Sequence, residues 1–436
     1  MLNKAAKSLL FSGVGLLLCW GGLKVVADRQ VKATSAIADN FIQQYPSTQT
    51  NDSARTLERL AVGLGFRDLV RDNEDAPKPS PADKNAEVLE AIYTDAAAYL
   101  GAQVIKSQGP LDPLPVIVEA YLTDNLDALN RVEFHLRTEP HPQWAFDAAA
   151  FTDFDQPTPT FWHLSKLHDL LLLKAVYHSQ QSQPDQQLST LDAAQSLMAQ
   201  HSQSPGLISH LTMFITVRSA SAITRHLDDV PVAFSRKLLS DDSLEQGLKS
   251  LRFDNWALYL ALMDSADSDD FVYDSTVGLS TVLPFSRLHF VLSTTNTTQL
   301  LDSTYRQIAT TDSSYCDNDW QAIENTLFER VPWWNMTGKV TVPGYVSQLE
   351  KTGNLALSAE LTHYIVNAKA LAAEQGQWPD TLPDLTSQIC PNDRWVYEVS
   401  PDGQMSLSFS RELSSASIIS DLATSPLTYA SEPWVE

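Results

Sequence analysis

A chain of 436 residues that is 43 % apolar and 19 % charged can bury more than one core and is folded rather than disordered. Its 30 Lys and Arg stand against 53 Asp and Glu, and the net charge of −23, with no basic patch to interrupt it, excludes a surface for nucleic acid or anionic lipid. Gly is scarce, at 16 residues, which favours helices joined by polar loops and predicts a mainly α protein.

The first apolar run is "LLFSGVGLLLCWGGL", Leu9 to Leu23, preceded by Lys4 and Lys7. Counted to Ala27 it spans about 28 Å as a helix, close to the hydrocarbon thickness of a bilayer. Residues 1–30 are therefore expected to form a single-pass membrane anchor, with the N-terminus in the cytoplasm and the bulk of the chain extracytoplasmic. Lys24, close to the only plausible cut before Asp28, argues that the segment is retained rather than cleaved as a signal peptide.

Residues 31–345 read as an irregular multi-helix domain. "TSAIADNFIQQYP" continues a helix that Pro46 ends, and "NDSARTLERLAVGLGFRDLV" is a second, capped by Asn51 or Asp52. After the polar loop "RDNEDAPKPSPAD", Val88, Leu89, Ile92, Ala96 and Leu100 fall at helical spacing between Ala82 and Ser107. "GPLDPLP" then breaks the chain, and "VIVEAYLTDNLDALNRVEFHL" resumes it as one helix. Beyond the breaker "TDFDQPTPT", the segment Phe161 to His178 is apolar almost all round and is expected at the centre of the core. "LSTLDAAQSLMAQHSQ" and "PGLISHLTMFITVRSASAITRHL" follow, the second with Pro205 in its first turn. "DSADSDDFVYDSTVGLSTVLPF" reads as an excursion between helical blocks, and "SRLHFVLSTTNTTQLLDSTYRQIATT" as a further helix. "ERVPWWNMTGKVTVPGY", with two prolines, is expected to close this domain ahead of a last helix.

The cadence of "LDAAQSLMAQ" and "SPGLISHLTMFITVRSASAITRHL" resembles a loosely defined set of uncharacterised bacterial membrane-anchored helical proteins. It is also similar to tetratricopeptide helix pairs, although a clean 34-residue period is missing.

Residues 346–411 are expected to form a small α+β module, and residues 412–436 a C-terminal tail. A helix with Leu357, Leu361, Ile365, Ala368 and Leu371 on one side stops at Gly376 in the left-handed conformation. "RWVYEVS" and "QMSLSFS" alternate apolar with polar around "SPDG", which predicts an antiparallel hairpin over Arg394 to Ser410. Between helix and hairpin, "EQGQWPDTLPDL" supplies a docking turn and a short helix. The segment Leu355 to Arg411 resembles the C-terminal region of type II secretion pseudopilins. The resemblance implies a fold element only, because the N-terminal apolar run has no Glu and lies far away in the chain.

Chemistry is hard to find in this sequence. His163 and His168 lie about 140° apart on a helix and are unsuited to share a metal. "HLDD", His226 to Asp229, ends a helix and is read as satisfying its last carbonyls rather than as a catalytic dyad. "DSADSDD" lacks the Gly and Glu of an EF-hand loop. The tryptophans Trp144, Trp162, Trp256, Trp320, Trp333, Trp334, Trp378 and Trp395 are read mainly as inter-helix filler, with a sugar-binding surface as the lesser alternative. No metal-ligating set, cofactor site or catalytic residue is assigned.

Cys316 and Cys390, the two cysteines outside the N-terminal run, are expected either to pair, closing a loop of about 75 residues, or to stay as small buried thiols. Taken together, these readings favour a non-enzymatic, membrane-anchored envelope scaffold or binding protein, with the membrane and a protein of the envelope as partners. The alternative is an envelope hydrolase whose site is assembled from scattered His and Asp or Glu residues.

Overall fold

The structure, a computed structural model, describes residues 22, 24–66, 69, 83–152, 161–198, 205–238, 243–267, 284–310, 314–411 and 427–434. Among them are thirteen α-helices and one small antiparallel sheet, so the chain is mainly α with a C-terminal β module. The helices are α1 (24–42), α2 (Asp52–Val62), α3 (Asp83–Ile105), α4 (Val116–Asp124), α5 (Leu126–Thr138), α6 (Trp162–Gln180) and α7 (Pro184–Met198). They continue as α8 (Leu207–His226), α9 (Val232–Arg236), α10 (Ser243–Asp267), α11 (Pro284–Thr310), α12 (Trp320–Arg330) and α13 (Met336–Gln375). The strands are β1 (Trp395–Val399), β2 (Met405–Phe409) and β3 (Thr428–Ala430).

The N-terminal expectation is corrected. Among the described residues no helix is long and apolar enough to cross a membrane. Most of the expected span, residues 1–21 and 23, lies outside the described residues. The part that is described, Lys24 to Ala27, opens α1, an amphipathic helix with Ala27, Thr34, Ala38 and Phe41 in a buried stripe while Val25 and Val26 are exposed. Ala38, Phe41 and Ile42 pack against Phe253, Trp256 and Tyr259 of α10. The single-pass anchor, the membrane as a partner and the extracytoplasmic placement that rested on them are set aside.

Two larger cores flank α13. In the first, α6 is buried all round from Leu164 to Val176, as its composition predicts, by α7, α8, α3 and α4, with Leu164, Leu167, Leu170, Leu171 and Leu173 fully inside. Asn51 caps α2 through Oδ1, which accepts from Ala54 N at 2.8 Å. The run read as one helix after "GPLDPLP" is two, broken at Asn125, whose backbone leaves the helical region. The second core joins α11, α12 and α13 to the sheet through Leu301, Tyr305, Leu361, Ile365, Trp395 and Leu407.

The last helix starts earlier than its prolines suggest. Asn335 is fully buried, accepts from Gly338 N at 2.8 Å and donates to Asn296 Oδ1 and Thr297 Oγ1 at 2.9 Å. That anchored cap starts α13 at Met336, and the helix runs through Pro343 for 40 residues, about 60 Å. It contributes Ala359 and Val366 to the first core and Leu357, Leu361 and Ala368 to the second, so it is the strut between them. Gly376 ends it with φ 71°, the left-handed stop that the sequence predicts.

The hairpin pairs Trp395 with Phe409, Tyr397 with Leu407 and Val399 with Met405. The expected short helix before it is absent; that segment is irregular and ends in a bridge between Thr386 and Arg394. The expected tail adds the third strand, with Tyr429 opposite Leu407. Ala430 N also donates to Ser107 O at 2.8 Å, which ties the sheet to the α3–α4 connection.

Candidate functional site

The α8 helix ends at His226, and the connection Leu227–Pro231 crosses α13 before α9 begins. Val366, Lys369, Ala370 and Ala373 share one face of α13 by their helical spacing, and Trp434 comes in from the C-terminal segment. Together with Asp228, Asp229 and Val230 they line a cleft of about 250 Å³. Asp229 takes the left-handed conformation, φ 55°, which a short polar side chain tolerates better than a bulky one and which turns the chain sharply there.

Most of the wall is apolar, and one end is not. Lys369 Nζ donates to Leu227 O at 2.8 Å and to Asp228 Oδ1 at 3.2 Å, with 14 % of the lysine side chain exposed. Burial pushes its pKa down, and the neighbouring carboxylates of Asp228 and Asp229 only partly offset this. The amine also satisfies a carbonyl at the negative end of α8, so structural and chemical roles coincide in this residue.

The histidine of "HLDD" is not brought into the cleft. His226 Nδ1 lies 2.8 Å from Gly109 O, Nε2 lies 3.2 Å from Lys106 O, and the ring packs on Tyr429. Burial lowers its pKa to about 4, so near neutral pH the ring is uncharged and its single N–H donates to one of these two carbonyls of the α3–α4 connection. A Ser–His pair stands on the neighbouring turns, with Ser235 Oγ 3.0 Å from His363 Nδ1. Ser235 is fully buried and its hydroxyl donates to Val232 O at 2.9 Å, so it receives a hydrogen bond from His363 rather than yielding its proton to it. Burial and nearby Arg236 both lower the His363 pKa.

A second constellation lies where α13, β1 and the segment before α12 meet. Cys316, on the turn Tyr315–Asp317, is joined to Cys390 by a disulfide, with Cα atoms 5.5 Å apart. Cys390 belongs to a tight loop in which Ser387 N donates to Asp393 O at 3.1 Å, Asp393 N to Cys390 O at 2.8 Å and Cys390 N to Ser387 Oγ at 3.0 Å. That loop brings the Asp393 carboxylate back onto the sulfurs. The two Sγ atoms and a carboxylate oxygen all lie within 4.8 Å of one another. Among the described residues this is the one group of three such ligands within reach of a single metal ion. Asp393 Oδ2 is buried without a hydrogen-bond partner, whereas Oδ1 lies 3.5 Å from Arg411 Nε. The two cysteines stand out in the sequence by their scarcity and Asp393 does not, although the spacing Cys-Pro-Asn-Asp places it three residues after Cys390.

The remaining candidates stay apart. His168 is fully buried with neither ring nitrogen hydrogen-bonded, and His163 packs beside Phe66. Asp264 to Asp267 of "DSADSDD" form the end of α10 and its last three residues lie outside the described residues, as does "TDFDQPTPT" beyond Thr152. Trp144, Trp256, Trp320, Trp378 and Trp395 are buried and Trp334 is half-buried, which leaves Trp162 and Trp333 as the exposed members of the set.

Comparison with family models, with curated proteins and with solved structures finds no match to this chain. The expected membrane-anchored, non-enzymatic scaffold or binding protein is overturned. No membrane-crossing helix occurs among the described residues, and Asp393 joins the expected Cys316–Cys390 pair in one cluster.

Proposed function

We propose that the chain is a hydrolase, and that its site is the cleft between the α8–α9 connection and α13. One observation carries this reading: a lysine of lowered pKa stands at the polar end of an otherwise apolar cleft. In its neutral form Lys369 acts as general base on a water molecule, and Asp228 holds the amine in place. Val230, Pro231, Val366, Ala370, Ala373 and Trp434 take the apolar body of a small ester or amide. His363 and Ser235 brace the turns behind the wall.

The test is hydrolysis of a panel of short-chain aryl esters and anilides by the full chain. Lys369→Met is expected to lower kcat/KM by about 10²–10⁴-fold, the usual contribution of a positioned base. Lys369→Arg keeps the charge and the cap on α8 but cannot release a proton near neutral pH, so it should keep the melting temperature and lose the activity. A base must be deprotonated to act, so the wild-type rate should rise with pH through the lowered Lys369 pKa. No turnover of any panel member, or full activity in Lys369→Arg, would overturn the proposal.

A further inference from the structure

We infer that Cys316, Cys390 and Asp393 form a redox-gated site for a thiophilic divalent cation of the zinc class, closed as the disulfide and opened by its reduction. It is independent of the hydrolytic cleft. In the oxidised form the two sulfurs are bonded to each other and offer no thiolate. A dithiol reductant transfers two electrons and two protons: the S–S bond breaks, Cys316 and Cys390 become thiols, and the reductant leaves as its own disulfide. Binding of a divalent ion then displaces the two thiol protons and gives two metal–sulfur bonds and one metal–carboxylate bond.

The geometry suits that outcome. Zinc–sulfur bonds of about 2.3 Å at tetrahedral angles place two sulfurs roughly 3.8 Å apart. Cα atoms at 5.5 Å allow that opening by side-chain rotation, without moving the backbone. Asp393 is already placed by the hydrogen bonds of its loop, and its Oδ2 is buried with no protein donor to satisfy it. Such an oxygen is costly to leave bare, and a cation is a natural partner for it. Two thiolates and one carboxylate around a divalent ion leave a net charge of −1. Arg411 is there to balance it, with Nε 3.5 Å from Asp393 Oδ1 and Nη1 donating to Cys316 O. Thiolate ligands select zinc or cobalt over magnesium and calcium, and three protein ligands leave a fourth position for water.

The experiment titrates the full chain with Co²⁺, with and without prior reduction by a phosphine that is then removed, under a competing chelator. The reduced protein should take up one ion per chain, with the near-ultraviolet thiolate-to-cobalt band and the intense visible bands of a tetrahedral site. The oxidised protein should show neither. Asp393→Asn keeps both cysteines and the disulfide, and should weaken the reduced-state affinity about tenfold or more. Replacing both Cys316 and Cys390 by Ser should abolish the sulfur band, and Zn²⁺ should raise the melting temperature of the reduced protein only. The inference is overturned if the reduced chain keeps its circular dichroism yet binds no cobalt, if it loses its fold on reduction, or if Asp393→Asn binds as tightly as wild type. None of these readouts involves turnover, so they stand or fall separately from the hydrolase.

Discussion

Each of the two larger cores has a glutamate at its heart or its edge, Glu360 fully buried and Glu133 half-buried, and the two are satisfied in opposite ways. Beside the first core, Glu133 of α5 meets a cation: Lys174 of α6, fully buried, donates to Glu133 Oε2 at 2.5 Å and to Asn130 Oδ1 at 2.6 Å. The hydroxyls of Ser189 and Thr190 on α7 donate to the same carboxylate. Burial alone would raise the Glu133 pKa, but these donors more than offset it and hold it below the ordinary value; burial lowers that of Lys174. In the second core Glu360 of α13, 1 % exposed, collects neutral donors instead: Ser387 Oγ at 2.6 Å, Gln388 N at 2.5 Å and Trp395 Nε1 at 2.9 Å. The ion pair joins helix to helix. The neutral hub joins a helix to a loop and to a strand that share no helical register with it, so it fixes where the sheet docks.

The comparison is broken most directly by Lys174→Met, which leaves the half-buried Glu133 carboxylate with only its hydroxyl donors and should cost about 3 kcal/mol in denaturant unfolding. Adding Glu133→Leu should recover most of that loss, because the pair offsets its own desolvation and little more. Glu360→Ala should cost about 3 kcal/mol by stranding buried donors, partly relieved by water, and no single second substitution should rescue it. It should also open the hairpin to proteolysis near Ser400, whereas Lys174→Met leaves that site protected until global unfolding.

A third way of burying a titratable group sharpens the contrast. His210 of α8 packs on Phe214, its Nε2 has no hydrogen-bond partner, and burial lowers its pKa to about 4 from 6.5. The unfolded chain therefore binds the proton first as pH falls. The stability is fully present above 6.5 and is lost as pH drops toward 4. His210→Leu should flatten the pH dependence by about 2 kcal/mol between pH 7 and pH 5. Asp254, raised by burial to about 6, has the opposite sign, since its contribution is lost as pH rises through that value. Reading the difference between variant and wild type cancels it.

Much of the helical architecture was legible in the sequence because its signals are local. The all-round apolar character of α6, the cap at Asn51, the stop at Gly376 and the alternation of the hairpin each depend on residues within a few positions of one another. The misreadings have the opposite character. Pro343 suggested a break, yet Asn335, held by Asn296 and Thr297 of α11, starts α13 before it. Three residues of tail are too few to show alternation, yet they complete the sheet because β2 offers them an edge.

The sequence by itself determined that this is a mainly helical protein with a small β module at its end, since periodicity and turn chemistry are properties of neighbouring residues. It also singled out Cys316 and Cys390 by their scarcity. Only the tertiary structure decided which groups share a site. Lys369 meets Asp228 across a separation of 141 residues, and Asp393 meets Cys316 and Cys390 through the fold of a loop that lies 74 residues from Cys316. Such meetings are set by how helices pack over one another, and packing depends on the whole set of buried faces rather than on any window of the chain.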